Sequence, residues 1–330
     1  MQPTVRKTIS SSVAMASSLI ICQAAHAVEG GIGAYFLGSR DTFPAIMPPP
    51  GSYFSLIYDR LEGSVDGLSV GGLPIQADTD VAVNLVRLSF TQVFDAELWG
   101  GTPALNVAIP LPDTKIAFQA VSGPLAGANI EDNSFGIGDI GVTGLVGWHD
   151  GNMHYNAGLT VFAPTGSYST ASIDVRNRSM SILSNGKNVW SFMPSLGATY
   201  FNPDTGLEVS GVASLLASTK NTATDFQTAP AFQLEGAVLQ RSKSGWGFGL
   251  AGYTYQQLSD DTGTGAENLR TALGASSLKA RVSGVGPILT YSGGTLFGGN
   301  LTFKAKYTKE FGAKRRLESD IFTFSLSLAY

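Results

Sequence analysis

The sequence predicts an all-β protein, a transmembrane antiparallel outer-membrane β-barrel of about twelve strands, with fourteen strands as the alternative count. Three observations lead to this prediction: an export leader, apolar residues that alternate with small or polar ones, and connections that are alternately short and long. The composition agrees, because charged residues make up only 14% of the 330 residues and glycine supplies 40 of them. Soluble chains typically carry about 25% charged residues.

The first 27 residues have the features of a signal peptide. A basic pair precedes the apolar residues 13–21, and Ala25 and Ala27 fit the small-residue pattern at signal peptidase sites. We place the cleavage after Ala27 and expect the outer membrane of a Gram-negative bacterium as the destination. Cys22, the single cysteine, lies within this leader, so we expect no disulfide and no thiolate metal site in the mature protein.

Residues 28–50 form a separate segment ahead of the barrel. Residues 28–38 have a strand-like composition, but Met47 is followed by three prolines, and proline cannot donate a hydrogen bond in a central strand. We therefore interpret residues 28–50 as a periplasmic or lumen-inserted N-terminal segment and assign residues 51–330 to the barrel.

Twelve stretches show the two-residue period of a strand with two different faces. In the clearest case, Phe322, Phe324 and Leu326 alternate with Thr323 and Ser325. Most of these stretches reach or exceed the roughly 9–11 residues that a tilted strand needs to cross a bilayer. The predicted strands are residues 51–62, 80–94, 102–119, 137–149, 153–164, 189–201, 206–218, 228–242, 246–259, 276–292, 300–312 and 320–330.

The connections between these strands alternate in length. Short turns are predicted at residues 95–101, 150–152, 202–205, 243–245 and 293–299. Long polar loops are predicted at residues 63–79, 120–136, 165–188, 219–227 and 260–275. Outer-membrane barrels have short periplasmic turns and longer outer loops. This pattern favours a barrel over a soluble β-sandwich, which the periodicity alone leaves open, and an even strand number puts both barrel ends on the periplasmic side.

Aromatic residues near the predicted strand ends, among them Trp148, Trp190 and Trp246, fit the girdles of a barrel at the two membrane interfaces. We expect outer-membrane lipid around the barrel. We also expect barrel-assembly machinery to recognise the last strand, which ends in the aromatic residue Tyr330. The formal net charge of −4 argues against a nucleic-acid partner.

The sequence contains only weak signals for catalytic or ligand-binding sites. His149 and His154 flank a predicted turn and are interpreted as cross-strand partners, although they would be the only candidates for a lipid-modifying activity. Asp260 and Asp261 lack the ordered oxygens of an EF-hand and are interpreted as an exposed acidic loop. Residues 136–139 resemble part of a dinucleotide fingerprint, but no helix is predicted after them. We therefore expect no enzymatic activity, no cofactor and no metal.

Charged residues within the predicted strands are expected to face the lumen. An Arg or Lys on the lipid face would cost about 2–4 kcal/mol at the membrane midplane. Inside the barrel such residues can form salt bridges that fill a narrow lumen, or they can guide the polar group of a solute. The lumen-lining candidates are Glu208, Glu235, Arg241, Lys279, Arg281, Lys304 and Lys306.

Several short stretches occur in an order that is typical of one family. They are GIGDIGV at 136–142, APTGSY at 163–168, WSFMP at 190–194, GWGFG at 245–249, YQQLSDD at 255–261 and VGP at 285–287, followed by the aromatic C-terminus. On these residues the chain resembles the outer-membrane proteins of the phenol meta-degradation family over nearly all of its mature length. The resemblance implies a barrel that admits hydrophobic substrates, in the setting of aromatic-compound catabolism, and that performs no chemistry of its own.

We therefore expect a passive outer-membrane channel or transporter for small hydrophobic or aromatic compounds. The alternative is a structural or surface-interaction barrel without a transport role, whose long outer loops bind an external partner. The position of residues 28–50 bears on this question, because an open lumen favours a general pore and a plugged lumen favours a selective route.

Overall fold

The computed structural model describes residues 33–70, 73–119 and 127–330. The expected signal peptide, residues 1–27, lies outside the described residues. The elements are β1 (Gly51–Val70), β2 (Leu73–Val93), β3 (Thr102–Gln119), β4 (Asn129–Phe135), β5 (Ile140–Asp150), β6 (Met153–Ala163), β7 (Ser172–Asp174), β8 (Ser179–Ser181), β9 (Ser191–Asn202), β10 (Leu207–Ser218), β11 (Ala231–Arg241), β12 (Trp246–Gln257), α1 (Thr264–Ala272), β13 (Arg281–Leu296), β14 (Gly299–Lys314) and β15 (Glu318–Ala329).

A closed antiparallel barrel of twelve strands confirms the predicted fold class. Strands β1–β3, β5, β6 and β9–β15 pair in chain order, and β1 pairs with β15 to close the barrel. β4 is an additional strand on the same sheet. β3 pairs with β5 through residues 102–108 and with β4 through residues 113–119, so two short strands share one long neighbour.

The barrel wall has the two faces that the sequence alternation predicts. On β9, Ser191, Met193 and Ser195 are buried inside, whereas Phe192 and Leu196 are exposed on the outer surface. Hydrocarbon offers no hydrogen-bond partners, so a spanning sheet must satisfy its backbone groups by closing on itself. The exposed aromatic and aliphatic side chains of the outer face therefore form the lipid-facing surface.

Short turns and both ends of the barrel lie together at one end, which is the periplasmic end of outer-membrane barrels. These turns join β2 to β3, β5 to β6, β9 to β10, β11 to β12 and β13 to β14. At the same end, the Ser52 amide donates to the Tyr330 carbonyl at 3.1 Å, and the Tyr330 amide donates to the Ser52 carbonyl at 2.9 Å. The hydrogen bonding between β1 and β15 thus extends as far as Tyr330.

Four outer regions differ from the sequence prediction. The predicted loop 63–79 is wrong, because β1 continues to Val70 and β2 begins at Leu73. Strand β4, the β7–β8 hairpin and helix α1 lie within the predicted loops 120–136, 165–188 and 260–275. In residues 33–70, 73–119 and 127–330, no helix combines the length and the hydropathy needed for a membrane crossing.

Candidate functional site

Residues 33–50, which we call the N-terminal segment, cross the interior of the barrel. Their polar contacts reach inward-facing side chains on six strands around the wall. Those side chains are Arg87 on β2, Asn156 and Thr160 on β6, Thr199 on β9, Glu208 on β10, Glu235 on β11, and Lys304 and Lys306 on β14. A segment with partners on opposite walls of the lumen obstructs it.

Glu235 holds the first part of the N-terminal segment. Its carboxylate accepts hydrogen bonds from the Tyr35 hydroxyl at 2.8 Å, the Gly38 amide at 2.9 Å and the Arg40 amide at 3.0 Å. Gly38 has a φ of +76°, and a Cβ at this position would lie 2.9 Å from Cδ1 of Tyr253. Glycine therefore suits this position for two reasons: it adopts the positive φ without strain, and it has no Cβ to clash with the wall.

A second carboxylate, Glu208, holds the middle of the segment. It accepts a hydrogen bond from the Phe43 amide at 2.7 Å and forms an ion pair with Arg241, also at 2.7 Å. The Arg241 guanidinium lies 3.8 Å from the centroid of the Phe43 ring and donates to the Thr42 hydroxyl. Charge-assisted hydrogen bonds and a cation–π contact therefore converge on two adjacent residues of the segment.

Asp41 is the charged anchor that the segment itself contributes. Lys304 donates to Oδ1 of Asp41 at 2.8 Å, and Lys306 donates to Oδ2 at 2.8 Å. Asp41 and Lys306 are buried, and the Lys304 side chain is only 17% exposed. This arrangement places one carboxylate between two ammonium groups, so both positive charges share the single negative charge of Asp41.

The structure brings Glu208, Glu235, Arg241, Lys304 and Lys306 to the N-terminal segment. It does not bring Lys279 or Arg281 there. Both are exposed; Lys279 precedes β13, and Arg281 begins it on the same face as the exposed Val285.

Sequence reasoning missed several charged residues of the lumen, among them Arg40, Asp41, Asp59 and Arg87. The buried Asp59 carboxylate pairs with Arg87 at 2.8 Å and accepts from Thr323 at 2.7 Å. The same rule that charged residues within strands face inward would have found Asp59 and Arg87. It would not have found Asp41, which lies outside every predicted strand.

The other sequence candidates have structural roles. His149 and His154 face each other across the β5–β6 hairpin, with ring centroids 6.4 Å apart, which confirms their interpretation as cross-strand partners. The Asp139 carboxylate accepts from the Gly166 and Lys187 amides and so joins two loops. Within the part of the chain that the structure describes, no group of three or more His, Cys, Asp or Glu side chains is arranged to hold a metal ion.

Asp261 corrects the expectation of an exposed acidic loop. It is only 1% exposed, and its Oδ1 accepts hydrogen bonds from the Ala229 amide at 2.8 Å and from the Gln257 side chain. Its other oxygen has no hydrogen-bond partner among the described residues. Burial raises the pKa of Asp261 to about 7, because the apolar surroundings disfavour the charged carboxylate.

A cavity of about 460 Å³ lies between the N-terminal segment and the wall formed by β1–β3, β5 and β6. Along β2 its lining runs from Val81 to Ser89, a length of about 27 Å at the usual strand rise. The outer part has an apolar surface formed by Phe36, Val81, Val83, Leu85, Ile116, Phe162, Ile182, Leu183 and Leu317. Polar residues also line it toward the outer loops, namely Thr114, Asp139, Tyr168, Ser169, Ser184, Asn185 and Lys187. The inner part is polar and is lined by Ser39, Arg40, Arg87, Ser89, Asn106, Thr143 and Thr160.

Comparisons with known proteins agree with this architecture. The sequence profile described as "Putative MetA-pathway of phenol degradation" matches residues 59–326. Among solved structures, the COG4313 outer membrane channel from Pseudomonas putida F1 is similar with a TM-score of 0.64 and 13% identity, covering 88% of this chain and 99% of that one. This similarity supports the same barrel fold. None of the curated proteins matches the sequence.

Two further solved structures are similar at lower scores. A FadL homologue from Pseudomonas aeruginosa has a TM-score of 0.40 and 10% identity, covering 93% of this chain and 98% of that one. A mutant of TodX, described as a monoaromatic hydrocarbon channel, has a TM-score of 0.42 and 9% identity over the same shares of the two chains.

Proposed function

The chain belongs to the family described as the putative MetA-pathway of phenol degradation, and from that premise we propose that it carries small hydrophobic or aromatic compounds across the outer membrane. The protein lets these compounds pass and does not modify them chemically. The barrel fold with its apolar outer surface places the protein in the outer membrane of a Gram-negative bacterium.

The observation that carries the proposal is the apolar cavity inside a closed barrel. Its volume of about 460 Å³ lies within the range of roughly 300–1,000 Å³ that is usual for small-molecule sites. Side chains such as Val83, Leu85 and Ile116 offer a solute a surface from which water is readily displaced. A channel for hydrophilic solutes would not benefit from such a lining.

The N-terminal segment favours a selective route over a general pore. It obstructs the lumen on the periplasmic side of the cavity, where Ser39 and Arg40 form part of the cavity wall. A solute that enters the cavity from the outer side therefore meets the segment before it can reach the periplasm. Passage therefore requires that the solute first binds in the cavity. Either the N-terminal segment then moves aside, or the solute moves past it.

Uptake by proteoliposomes tests the proposal. The purified barrel is reconstituted into vesicles. Entry of phenol, benzyl alcohol and toluene is followed by an enclosed dye responsive to aromatic compounds, and entry of glucose, the polar comparison, is followed by vesicle swelling. We expect faster entry of the aromatic compounds than in protein-free vesicles and no change for glucose. Equal rates across the panel, together with unchanged growth of a deletion strain on aromatic compounds, would overturn the proposal.

The alternative of a surface-interaction barrel predicts a different result. Removal of residues 165–188, which contain the β7–β8 hairpin, would then abolish binding of an external partner and leave the permeability to aromatic compounds unchanged. If solute transport is the role, we expect that deletion to change the rate of aromatic uptake instead, since Ile182 and Leu183 line the outer part of the cavity.

We also propose that barrel-assembly machinery recognises the last strand. Support comes from the exposed aromatic ring of Tyr330, which directly follows the alternating residues of β15. Replacement of Tyr330 by Ala should lower the amount of folded barrel in the outer membrane while the chain still refolds in detergent. A variant with unchanged amounts of folded barrel in cells would contradict this role.

A further inference from the structure

The inner, polar part of the cavity contains two arginines that differ in their partners. Arg87 is neutralised: its Nε donates to Asp59 at 2.9 Å, and Nη1 donates to the Ser39 hydroxyl at 2.7 Å. Its guanidinium also lies 5.0 Å from the centroid of the Phe36 ring. The Arg87 side chain is thus held in place and its charge is compensated.

Arg40 has no such compensation. Its Nη2 donates to the Thr160 hydroxyl at 2.8 Å, and its guanidinium lies 5.5 Å from the centroid of the Tyr35 ring. Among the described residues, the Arg40 guanidinium forms no ion pair. Arg40 lines the cavity, and Nη2 is the guanidinium nitrogen with a hydrogen-bond partner among the described residues.

Nearby carboxylates are already engaged. Glu235 accepts from Tyr35, Gly38 and the backbone amide of Arg40, and Asp59 is paired with Arg87. Farther toward the outer side, Asp139 accepts from two backbone amides and lies beside Lys187 on the cavity wall. These carboxylates make no direct contact with the Arg40 guanidinium, which is left available for an anionic group in the cavity.

The order of groups along the cavity matches an amphipathic solute. The apolar part of the lining lies toward the outer end, and Arg40, Arg87, Thr143 and Thr160 lie at the inner end. The Thr143 and Thr160 hydroxyls are 2.8 Å apart and provide further hydrogen-bonding groups next to Arg40. A solute with an apolar ring at one end and an acidic group at the other would satisfy both parts at once.

We propose that Arg40 binds the carboxylate of an aromatic or short aliphatic acid whose apolar body occupies the outer part of the cavity. A guanidinium presents several donors in a fixed plane and suits a carboxylate better than a neutral hydroxyl. The proposal rests on the function proposed above, because it names the class of solute that the same cavity prefers.

The test compares two probes of nearly the same shape, trans-cinnamate and cinnamyl alcohol, at neutral pH. Binding to the full-length mature barrel in detergent micelles is measured by calorimetry, and uptake is measured in proteoliposomes. We expect cinnamate to bind at least about tenfold more tightly than the alcohol, as a charge-assisted pair in a partly dehydrated site would provide. This comparison uses the wild-type protein and does not depend on the folding of a variant.

Three variants locate the preference. R40Q should remove the tenfold preference for cinnamate while the affinity for cinnamyl alcohol stays the same, and R40K should retain part of the preference because the charge remains. The matched control is R60Q, since Arg60 lies on β1 outside the cavity and pairs with Glu62; its preference should equal that of the wild type.

The results separate this inference from the proposed function. If the wild-type barrel binds both probes equally, or if R40Q weakens both equally, the assignment of Arg40 to a carboxylate is wrong although transport of aromatic compounds still stands. If neither probe binds and neither enters vesicles faster than without protein, both the inference and the proposed function are overturned.

Discussion

The Asp41 carboxylate and the Lys306 ammonium lie 2.8 Å apart, although 265 residues separate them along the chain. Lys304 completes the arrangement on the other carboxylate oxygen. This contact ties the N-terminal segment to β14, on the side of the lumen opposite β6. These ion pairs hold the N-terminal segment across the lumen, which the segment obstructs.

Replacement of Asp41 by Asn should release the N-terminal segment. The neutral amide leaves two ammonium groups without a counter-charge, and loss of one partner of a buried ion pair typically costs about 3–5 kcal/mol. We expect a higher single-channel conductance in planar bilayers. The control is D320N, because Asp320 pairs with Lys309 on the exposed surface, where a pair contributes only about 0–1 kcal/mol. A D41N conductance equal to that of the wild type would contradict the anchoring role.

Gly38→Ala should loosen the same segment by a different mechanism. Alanine is strained at a φ of +76°, and its Cβ would meet the Tyr253 ring, so we expect a loss of more than about 1 kcal/mol in docking of the segment. Trypsin cleavage after Arg40 measures this, since the docked segment is protected. Gly100→Ala is the matched control: Gly100 has a φ of +74° with no atom within 4 Å of an added Cβ. Equal protection of Arg40 in G38A and wild type would refute the prediction.

Ala108→Phe should slow the uptake of aromatic compounds. Ala108 lines the cavity on β3, and a phenyl group there occupies space that a solute would need. The matched control is Ala198→Phe, at an exposed position on the outer face of β9. We expect proteoliposome uptake of benzyl alcohol to fall in A108F and to stay at the wild-type rate in A198F. If both variants transport at the same rate, solutes do not pass through this cavity.

The loop around Asp261 should become less stable as the pH rises. The raised pKa of about 7 means that the folded loop binds a proton between roughly pH 4 and 7, where an unfolded Asp, with a pKa of about 3.9, has lost it. Stability is therefore highest at low pH and falls as the pH rises through about 7.

Hydrogen exchange of residues 258–280 measures this effect when wild type and D261N are compared at the same pH. We expect D261N to be better protected than the wild type at about pH 8 and similar to it at about pH 4, because the amide carries no charge at either pH. D204N, a change in the β9–β10 turn, should follow the wild type at both values. A constant difference between wild type and D261N would show that Asp261 does not titrate in this range.

The barrel could be predicted from the sequence because one physical rule acts along every spanning strand. Residues of β9 and β15 must alternate between lipid and lumen, so Phe192 and Phe324 are exposed and Met193 and Thr323 are buried. Where the strands leave the hydrocarbon, that rule ends. Four glycines, at positions 63, 67, 71 and 72, and Pro74 give residues 63–79 the composition of a loop, so the sequence predicts a loop where β1 and β2 continue.

The candidate site was predictable only in part. Charge within a strand pointed to side chains such as Glu208, Glu235 and Lys306, which contact the N-terminal segment in the structure. It could not give their partners, because that segment has no strand periodicity. Lys279 and Arg281 show the other weakness: β13 begins only at residue 281, and a charge at the strand end meets water rather than hydrocarbon. The cavity could not be predicted at all, because it depends on how the N-terminal segment fits between distant strands.

The long separation between Asp41 and its lysines has a consequence for biogenesis. The N-terminal segment is synthesised before any barrel strand, yet its partners on β14 become available only when nearly the whole chain has been assembled. Contacts between residues so distant in sequence form late, since the intervening chain must first be brought into place. The ion pairs of Asp41 therefore require β14 to be in place, so the full anchoring of one of the first segments to be synthesised depends on one of the last strands.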